Sequence, residues 1–342
     1  MKTSDFDFDL PQELIAQYPC NKRTASRLLC LEKATGAIAH KQFADLPGLL
    51  SCKDLLIFNN TKVIPARLFG IKETGGKIEV LIERILDEHT VLAHLRFSKV
   101  PKKGSILILE NIFKAEVLNY ENGLFELCFQ YDDHVLNILE RVGHIPLPPY
   151  IKRSDETIDK KRYQTIFAKY KGSVAAPTAG LHFDKQLLKK ITQKGVETAF
   201  ITLHIGAGTF EPVRSENIQN HKMHSEYVEV SPQVCEKIRN TKKRHGRIIA
   251  IGTTCVRSLE TATQGGEVVR FKGETNMFIY PGYKFRCIDA MLTNFHLPRS
   301  TLLMLVCAFA GFDNVMNAYK EAIQEKYRFY SYGDAMFSSS AQ

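Results

Sequence analysis

The sequence predicts an α/β protein, a layered α/β core with a small antiparallel β-barrel inserted into it. Three observations carry this. Between Ala66 and Gln130 short alternating runs follow one another with turn signals and no helix between them, the pattern of a small closed or nearly closed barrel. From Val174 onward strand-like and helix-like runs alternate, which argues for a layered core. A further strand-like run, Asp54 to Phe58, lies ahead of the barrel. The core therefore takes in both ends of the chain: residues 1–64 and 151–342 make one discontinuous domain, and 65–150 make the insert.

In the insert, the strands are ARLFGIKE, KIEVLIER, TVLAHLRF, SILIL, FKAEVLNY and LFELCFQ, punctuated by Thr74-Gly75-Gly76, Lys102-Lys103-Gly104 and Asn122-Gly123; the last is a strong hairpin turn. Asn59-Asn60-Thr61 leads in, and IPLPPY (Ile145 to Tyr150), stiffened by its three prolines, leads out. In the core, Val196 to Ile205 reads as a strand. Pro232 to Lys243 reads as a helix with Ser231 as N-cap and Pro at the first helical position. Arg247 to Ile251 is a buried strand running into Gly252-Thr253-Thr254 and a helix from Cys255 to Ala262. Phe278 to Tyr280 and Met291 to Phe295 read as further strands, and Thr301 to Ala310 and Asn314 to Tyr327 as closing helices.

Composition narrows the class. Hydrophobic residues make up 44% and charged residues 24% of the 342, as in ordinary globular chains. The N-terminus, MKTSDFDFDLPQ, has no apolar run of secretory length. The longest apolar run, Thr301 to Ala310, is about half of the roughly 20 residues a membrane span needs. No export and no membrane are expected, and the eight scattered cysteines without a Cys-x-x-Cys pair point to reduced thiols in the cytoplasm. The net charge of +9 predicts attraction to a polyanion. It concentrates in Lys237 to Arg247 and Lys152 to Lys171. Either run alone reads as a solvated face; with the net charge they suggest a nucleic acid.

Four motifs are candidates for chemistry. IGAGTF (Ile205 to Phe210) lacks the third Gly of a dinucleotide fingerprint, since position 211 is Glu and Pro212 follows; it either brings backbone amides to a ligand or makes a structural turn. IIAIGTTCVRSLE (Ile248 to Glu260) presents Thr253 and Thr254 at a helix N-terminus with Arg257 one turn in, an anion site or simply a well-capped helix. HKMHSE (His221 to Glu226) has His-x-x-His spacing without further ligands, so no metal is assigned; acid–base work is the chemical alternative. TNFHLPRST sets His296 in a loop before a helix capped by Ser300 or Thr301. To these is added GSVAAPTAGLHF (Gly172 to Phe183), whose small residues let backbone lie against a flat ligand, with Pro177 fixing a turn and Thr178 and His182 as polar groups.

Taken together these blocks resemble the bacterial S-adenosylmethionine:tRNA ribosyltransferase-isomerases of queuosine biosynthesis. The matching stretches run the length of the chain: FDFDLPQELIAQYP, NNTKVIPARLFG, GGKIEVLIE, GHIPLPPYIKR, GSVAAPTAGLHF, LHIGAGTFEPV, HKMHSEYVEV, IAIGTTCVRSLE, FIYPGYKF, LTNFHLPRSTLLMLV and YRFYSYGDAM. Cys255 stands where the family often has Ser, and Asn276-Met277 departs from its usual lead into FIYPG, which puts any specific role for Cys255 or Asn276 in doubt.

The resemblance implies an α/β domain that is not the usual methyltransferase Rossmann fold. It implies transfer and isomerisation of the ribosyl part of S-adenosylmethionine onto 7-aminomethyl-7-deazaguanine at the tRNA wobble position. Epoxyqueuosine in tRNA, adenine and methionine are the products. S-adenosylmethionine is consumed as a substrate; no metal or separate cofactor is expected, and a monomer is. A base must take a proton beside the sulfonium and an acid must assist adenine; His182, His204 and Glu226 are the catalytic candidates. Thr178, Gly206, Gly208, Thr209, His221 and His224 are substrate-binding candidates, with Thr253, Thr254, Arg257, Tyr280, Phe295 and His296. Lys152, Arg153, Lys171, Lys242, Lys243 and Arg244 are candidates for gripping tRNA. Two other classes remain: a tRNA-binding module without chemistry, and a nucleotide-dependent oxidoreductase prompted by the GAG turn.

Overall fold

The computed structural model describes residues 1–210 and 213–340; Glu211 and Pro212, which bear on the dinucleotide fingerprint, lie outside the described residues. Strands β1 (Arg27–Glu32), β2 (Ile38–Gln42) and β3 (Leu55–Asn59) precede six barrel strands, β4 (Arg67–Lys72), β5 (Lys77–Ile85), β6 (Thr90–Phe97), β7 (Ile106–Leu109), β8 (Phe113–Glu121) and β9 (Leu124–Phe129). After the barrel come β10 (Glu197–Leu203), β11 (Glu226–Val230), β12 (Ile248–Ile251), β13 (Phe271–Thr275), β14 (Ala290–Asn294) and β15 (Ala335–Ser339). The core strands form one nine-stranded sheet in the order β13-β11-β10-β3-β12-β14-β15-β1-β2. Its centre, β10-β3-β12-β14, is parallel, and β3, β12 and β14 are buried at every position, as strands covered on both faces must be.

Barrel strands alternate instead. Ile78, Val80 and Ile82 of β5 point inward while Glu79 and Leu81 are half-buried, and the ring closes in the order β9-β6-β5-β4-β7-β8. Asn122 and Gly123 both take positive φ, 52° and 83°, the conformation a two-residue hairpin turn between β8 and β9 demands. Helix α1 (Val135–Val142) buries Val135, Ile138 and Leu139 in the same apolar cluster, which Val174 and Ala207 of the core also join.

Five longer helices cover the sheet: α2 (Lys185–Gln193), α3 (Pro232–Lys243), α4 (Thr253–Thr261), α5 (Thr301–Ala310) and α6 (Phe312–Gln324). The Ser231 hydroxyl accepts the Val234 N–H at the start of α3, the N-cap the sequence predicts. No single helix among the described residues is long and apolar enough to cross a membrane; α5 and α6, long enough only together, meet at 115°. All eight cysteines are free.

One element differs in kind from the expectation. Phe278 to Tyr280 is not a strand; the sheet edge is β13, Phe271–Thr275, paired antiparallel with β11. The Met277 carbonyl is taken by Arg257 Nε at 3.0 Å, Pro281 follows, and the backbone leaves the ladder there. Helix α4 begins at Thr253 rather than Cys255, and α6 spans 312–324 rather than 314–327.

Candidate functional site

Parallel strands leave their carboxyl ends along one edge of a sheet, and in open α/β sheets ligands bind in the crevice outside that edge. Here β3 ends at Asn59, β12 at Ile251 and β14 at Asn294. Asn59, itself buried, ties the edge together: its Oδ1 accepts the Leu203 and Thr61 N–H groups at 3.1 Å, and its Nδ2 donates to the Leu203 carbonyl and to Thr254 Oγ1. Gly252, at φ 93°, turns the chain sharply from β12 into α4. A pocket opens there, lined by Ala175 to Ala179, Thr209, Glu226, Thr253, Thr254, Arg257, the Thr293 to Leu297 loop, Tyr150, Tyr330 and Ser331. As it stands it leaves a cavity of about 90 Å³, below the roughly 300 Å³ at which ligand pockets begin.

Arg257, one turn into α4, is 4% exposed, and Glu226, at the head of β11, is 2% exposed. Strand β11 runs antiparallel to β10 with Leu203 opposite Val228, so Glu226 lies beyond the end of β10, level with Ile205. Arg257 Nη1 donates to Glu226 Oε2, and Gly206 N–H donates to Oε1 at 3.3 Å. Burial pushes the Glu226 carboxyl up, but the Arg257 guanidinium, helped by His224 with its Nε2 3.6 Å away, outweighs it and holds the group below the usual carboxylate range. Arg257 Nη2 and His224 Nε2 are buried and have no hydrogen-bond partner among the described residues.

The GSVAAPTAGLHF segment forms the facing wall. The Ser173 hydroxyl donates to the Ala175 carbonyl and accepts Ile205 N–H, joining this wall to the end of β10. A short 3-10 turn, Thr178–His182, carries His182 behind the pocket. Its Nε2 meets Asn294 Oδ1 at 3.3 Å, its Nδ1 meets Ser26 Oγ at 2.7 Å, and its ring stacks on Phe43. Asn294 Nδ2 donates to the Tyr330 carbonyl, so Oδ1 must accept from Nε2–H, and Nδ1 accepts from Ser26. Burial pushes His182 down to about 4, and both nitrogens are occupied. His296, within the pocket wall, engages Thr293 Oγ1 through Nε2 at 2.8 Å and is pushed down by burial to about 3.

A second hollow, a cleft between barrel and core, is lined by Glu83 to Glu88, His134, Lys169 to Gly172, Thr202, His204 to Gly206, Ser225 to Tyr227, Glu229 and Glu274. Ile205 and Glu226 line both hollows. His204 stands at the cleft with Nδ1 2.8 Å from Thr61 Oγ1 and its ring stacked on Tyr227; burial lowers its pKa. From the barrel comes Glu83, where the β5–β6 register shifts between Ile82 and Arg84. That bulge turns Glu83 toward the core, and its Oε2 accepts Ala207 N–H at 2.6 Å. The GAG glycines thus serve close packing: a Cβ on Gly206 would lie 2.2 Å from Glu83 Oε1, and one on Gly208 2.6 Å from the His224 ring.

Of the residues singled out in the sequence, Thr178, Thr209, Glu226, Thr253, Thr254, Arg257, Phe295 and His296 line the pocket, while His204, Gly206 and Lys171 line the cleft. Gly208 packs under His224. His221 and Tyr280 are not brought in; both rings lie against Phe278. Lys242, Lys243 and Arg244 end α3 just before β12 begins, and Arg244 Nε donates to the Lys53 carbonyl ahead of β3, so they sit at the amino edge of the sheet, opposite the pocket. Arg153 grips buried Asp159 with two nitrogens, Lys152 Nζ donates to Gln12, and Lys171 pairs with Glu140. Asn59, Asn294, Glu83, Tyr150 and Ser331 are site residues that spacing did not single out; each lies in a matching block, Asn59 in NNTKVIPARLFG, Glu83 in GGKIEVLIE, Tyr150 in GHIPLPPYIKR, Asn294 in LTNFHLPRSTLLMLV and Ser331 in YRFYSYGDAM. Among the described residues no group of three or more His, Cys, Asp or Glu could hold a metal ion.

Comparison with known proteins gives the same length of chain a context. A family model described as queuosine biosynthesis protein matches residues 3–338. Among solved structures, the chain is similar to the S-adenosylmethionine tRNA ribosyltransferase of Thermotoga maritima, at 38% sequence identity and a TM-score of 0.57, over 98% of this chain and 100% of that one.

Proposed function

This chain belongs to the queuosine biosynthesis protein family, and from that premise we propose that it is an S-adenosylmethionine:tRNA ribosyltransferase-isomerase. It moves the ribosyl part of S-adenosylmethionine onto the aminomethyl group of 7-aminomethyl-7-deazaguanine at the tRNA wobble position and isomerises it, leaving epoxyqueuosine in tRNA, adenine and methionine. The observation that carries this reading is the meeting of two hollows at Glu226 and Ile205. A pocket at the carboxyl edge suits a small ligand, an open cleft suits a base presented on a nucleic acid, and a reaction between them needs a shared wall with a titratable group on it.

The geometry supports the following roles. Glu226, at that wall, is the base that takes the proton beside the sulfonium, and Arg257 with the Thr253 and Thr254 amides receives the methionine carboxylate. His182, neutral and with both nitrogens engaged, acts through Asn294 as a positioning residue. His204 and Tyr227, stacked at the cleft, offer a face for the incoming base, and the carboxylates of Glu83, Glu229 and Glu274 beside them suit an aminomethyl group, which is cationic when protonated. Residues 1–64 and 151–342 act as the catalytic domain and 65–150 as the barrel that closes the cleft; the protein works in the cytoplasm as a monomer.

The other classes fare worse. A binding module without chemistry gives no reason for a titratable carboxylate on the wall that the pocket shares with the cleft. A dinucleotide site needs free amides at the GAG turn, and here Gly206 and Ala207 N–H groups point at the carboxylates of Glu226 and Glu83, which repel a phosphate. Incubation with S-adenosylmethionine and precursor-bearing tRNA is expected to yield adenine and a modified nucleoside; if neither forms while both ligands bind, the protein is a binding module.

A further inference from the structure

Glu226 and Arg257 each have a role in the reaction above, yet in the ligand-free arrangement they hold each other. Arg257 donates Nη1 to Glu226 Oε2 and Nε to the Met277 carbonyl, leaving Nη2 with no partner among the described residues in a side chain that is 4% exposed and lines the pocket. A buried guanidinium with an idle N–H donor is poised for one more carboxylate oxygen, and its fork prefers to meet a carboxylate with two nitrogens at once. Only Nη1 is on Glu226, so a bidentate contact from a ligand in the pocket would displace that oxygen. The small cavity requires movement of lining groups before a ligand enters, and Glu226 and Arg257 are among those groups.

We propose that Arg257 is a carboxylate-exchange site: the amino-acid carboxylate of S-adenosylmethionine takes over the guanidinium through Nη2 and Nη1, and Glu226 is released toward the wall it shares with the cleft. This rests on the reading of the reaction given above and adds to it the event that arms the base. The exchange itself forms and breaks no covalent bond. The groups facing Glu226 are Arg257 from α4, His224 from the preceding segment, the Gly206 N–H from the GAG turn, and Glu83 across that turn from the barrel, with His94 Nε2 3.6 Å behind Glu83. While Arg257 is bound to it, Glu226 is a weak base. Once a ligand carboxylate neutralises Arg257, the burial of Glu226 favours its proton uptake. The ligand thereby switches on the group that will attack it, and the enzyme carries no strong buried base while empty.

The test compares S-adenosylmethionine with its decarboxylated form by titration calorimetry, using the full-length protein and its Glu226→Gln and Arg257→Gln variants. Removing the competing charge in Glu226→Gln is expected to tighten S-adenosylmethionine binding about tenfold, with no tightening toward the decarboxylated form. Arg257→Gln is expected to bind both forms alike. Unchanged or weaker S-adenosylmethionine binding by a folded Glu226→Gln protein overturns the exchange. A measurement on the unaltered protein covers the case in which that variant does not fold: at saturation the decarboxylated form is expected to release adenine at least tenfold more slowly in the presence of precursor-bearing tRNA. A raised KM with unchanged kcat would mean that Arg257 merely binds the carboxylate. The two readings fail separately, since exchange signatures without adenine release remove the reaction, whereas adenine release without them removes the exchange.

Discussion

Barrel and core are made by the same strand physics and filled in opposite ways. Among the described residues the barrel strands bury one charged side chain, Lys72, at a rim where its Nζ donates to the Lys99 carbonyl; the core buries Asn59, His182, Glu226, Arg257, Asn294 and His296. An apolar interior is satisfied by contact alone, so many sequences of suitable volume will serve it. Each buried polar group, by contrast, requires a named partner, and removing either member leaves an orphan. The difference teaches where to look for chemistry: in the half whose interior cannot be exchanged for another of equal volume.

Four experiments press on that contrast. Leu68→Ala, in the barrel interior with no exposed surface, is expected to lower unfolding free energy by about 2–5 kcal/mol while adenine release per folded molecule stays unchanged; equal losses in both would mean that barrel and site are not separable. Next in size is a pH effect confined to the core. The pKa of His182 lies at about 4 in the fold because of burial, against an ordinary 6.5, so the unfolded chain takes up the proton first as pH falls. Its contribution is complete above about pH 6.5 and is lost toward pH 4, a loss of ~3 kcal/mol. Urea denaturation at several pH values should show that slope and should show it flattened in His182→Gln; an unaltered slope would assign the acid sensitivity to other groups.

Smaller effects test the contacts between the halves. Glu83→Gln is expected to slow adenine release about tenfold, or ~1.4 kcal/mol, with stability changed by less than ~0.5 kcal/mol; activity at the parent level would make Glu83 a packing contact only. Lys171→Glu, at the cleft, should weaken tRNA binding a few-fold and reduce the salt slope by about 1. Lys243→Glu, at the far edge of the sheet, should do neither, and the reverse pattern in filter binding would move the RNA surface to that edge.

Legibility in the sequence follows the same division. The barrel could be read strand by strand because burial on one side imposes a period of two, and α3 because Ser231-Pro232 is a local start signal. Phe278 to Tyr280 misled because its apolar character serves an aromatic cluster and Arg257 claims the Met277 carbonyl, a contact from elsewhere in the chain. Glu226 and Arg257 were each visible as chemically able residues; their pairing was not, since it depends on where β11 starts beside β10. Asn59 read as a linker residue because its hydrogen bonds go to main chain brought near only by the finished sheet. His182 stood out as a candidate base, but only the fold places Asn294 between it and the pocket.

The bulge in β5 has a further consequence. Ile78, Val80 and Ile82 face the barrel interior, and Ile85, opposite buried Val91, is the next β5 residue to do so. Without Glu83 the inward positions would follow one another in unbroken alternation. Glu83 is therefore a surplus letter in its own strand, and its carboxylate is used by the core, where it accepts the Ala207 N–H. A barrel redesigned for regularity would shed that letter first, and with it the hydrogen bond that ties the barrel to the GAG turn.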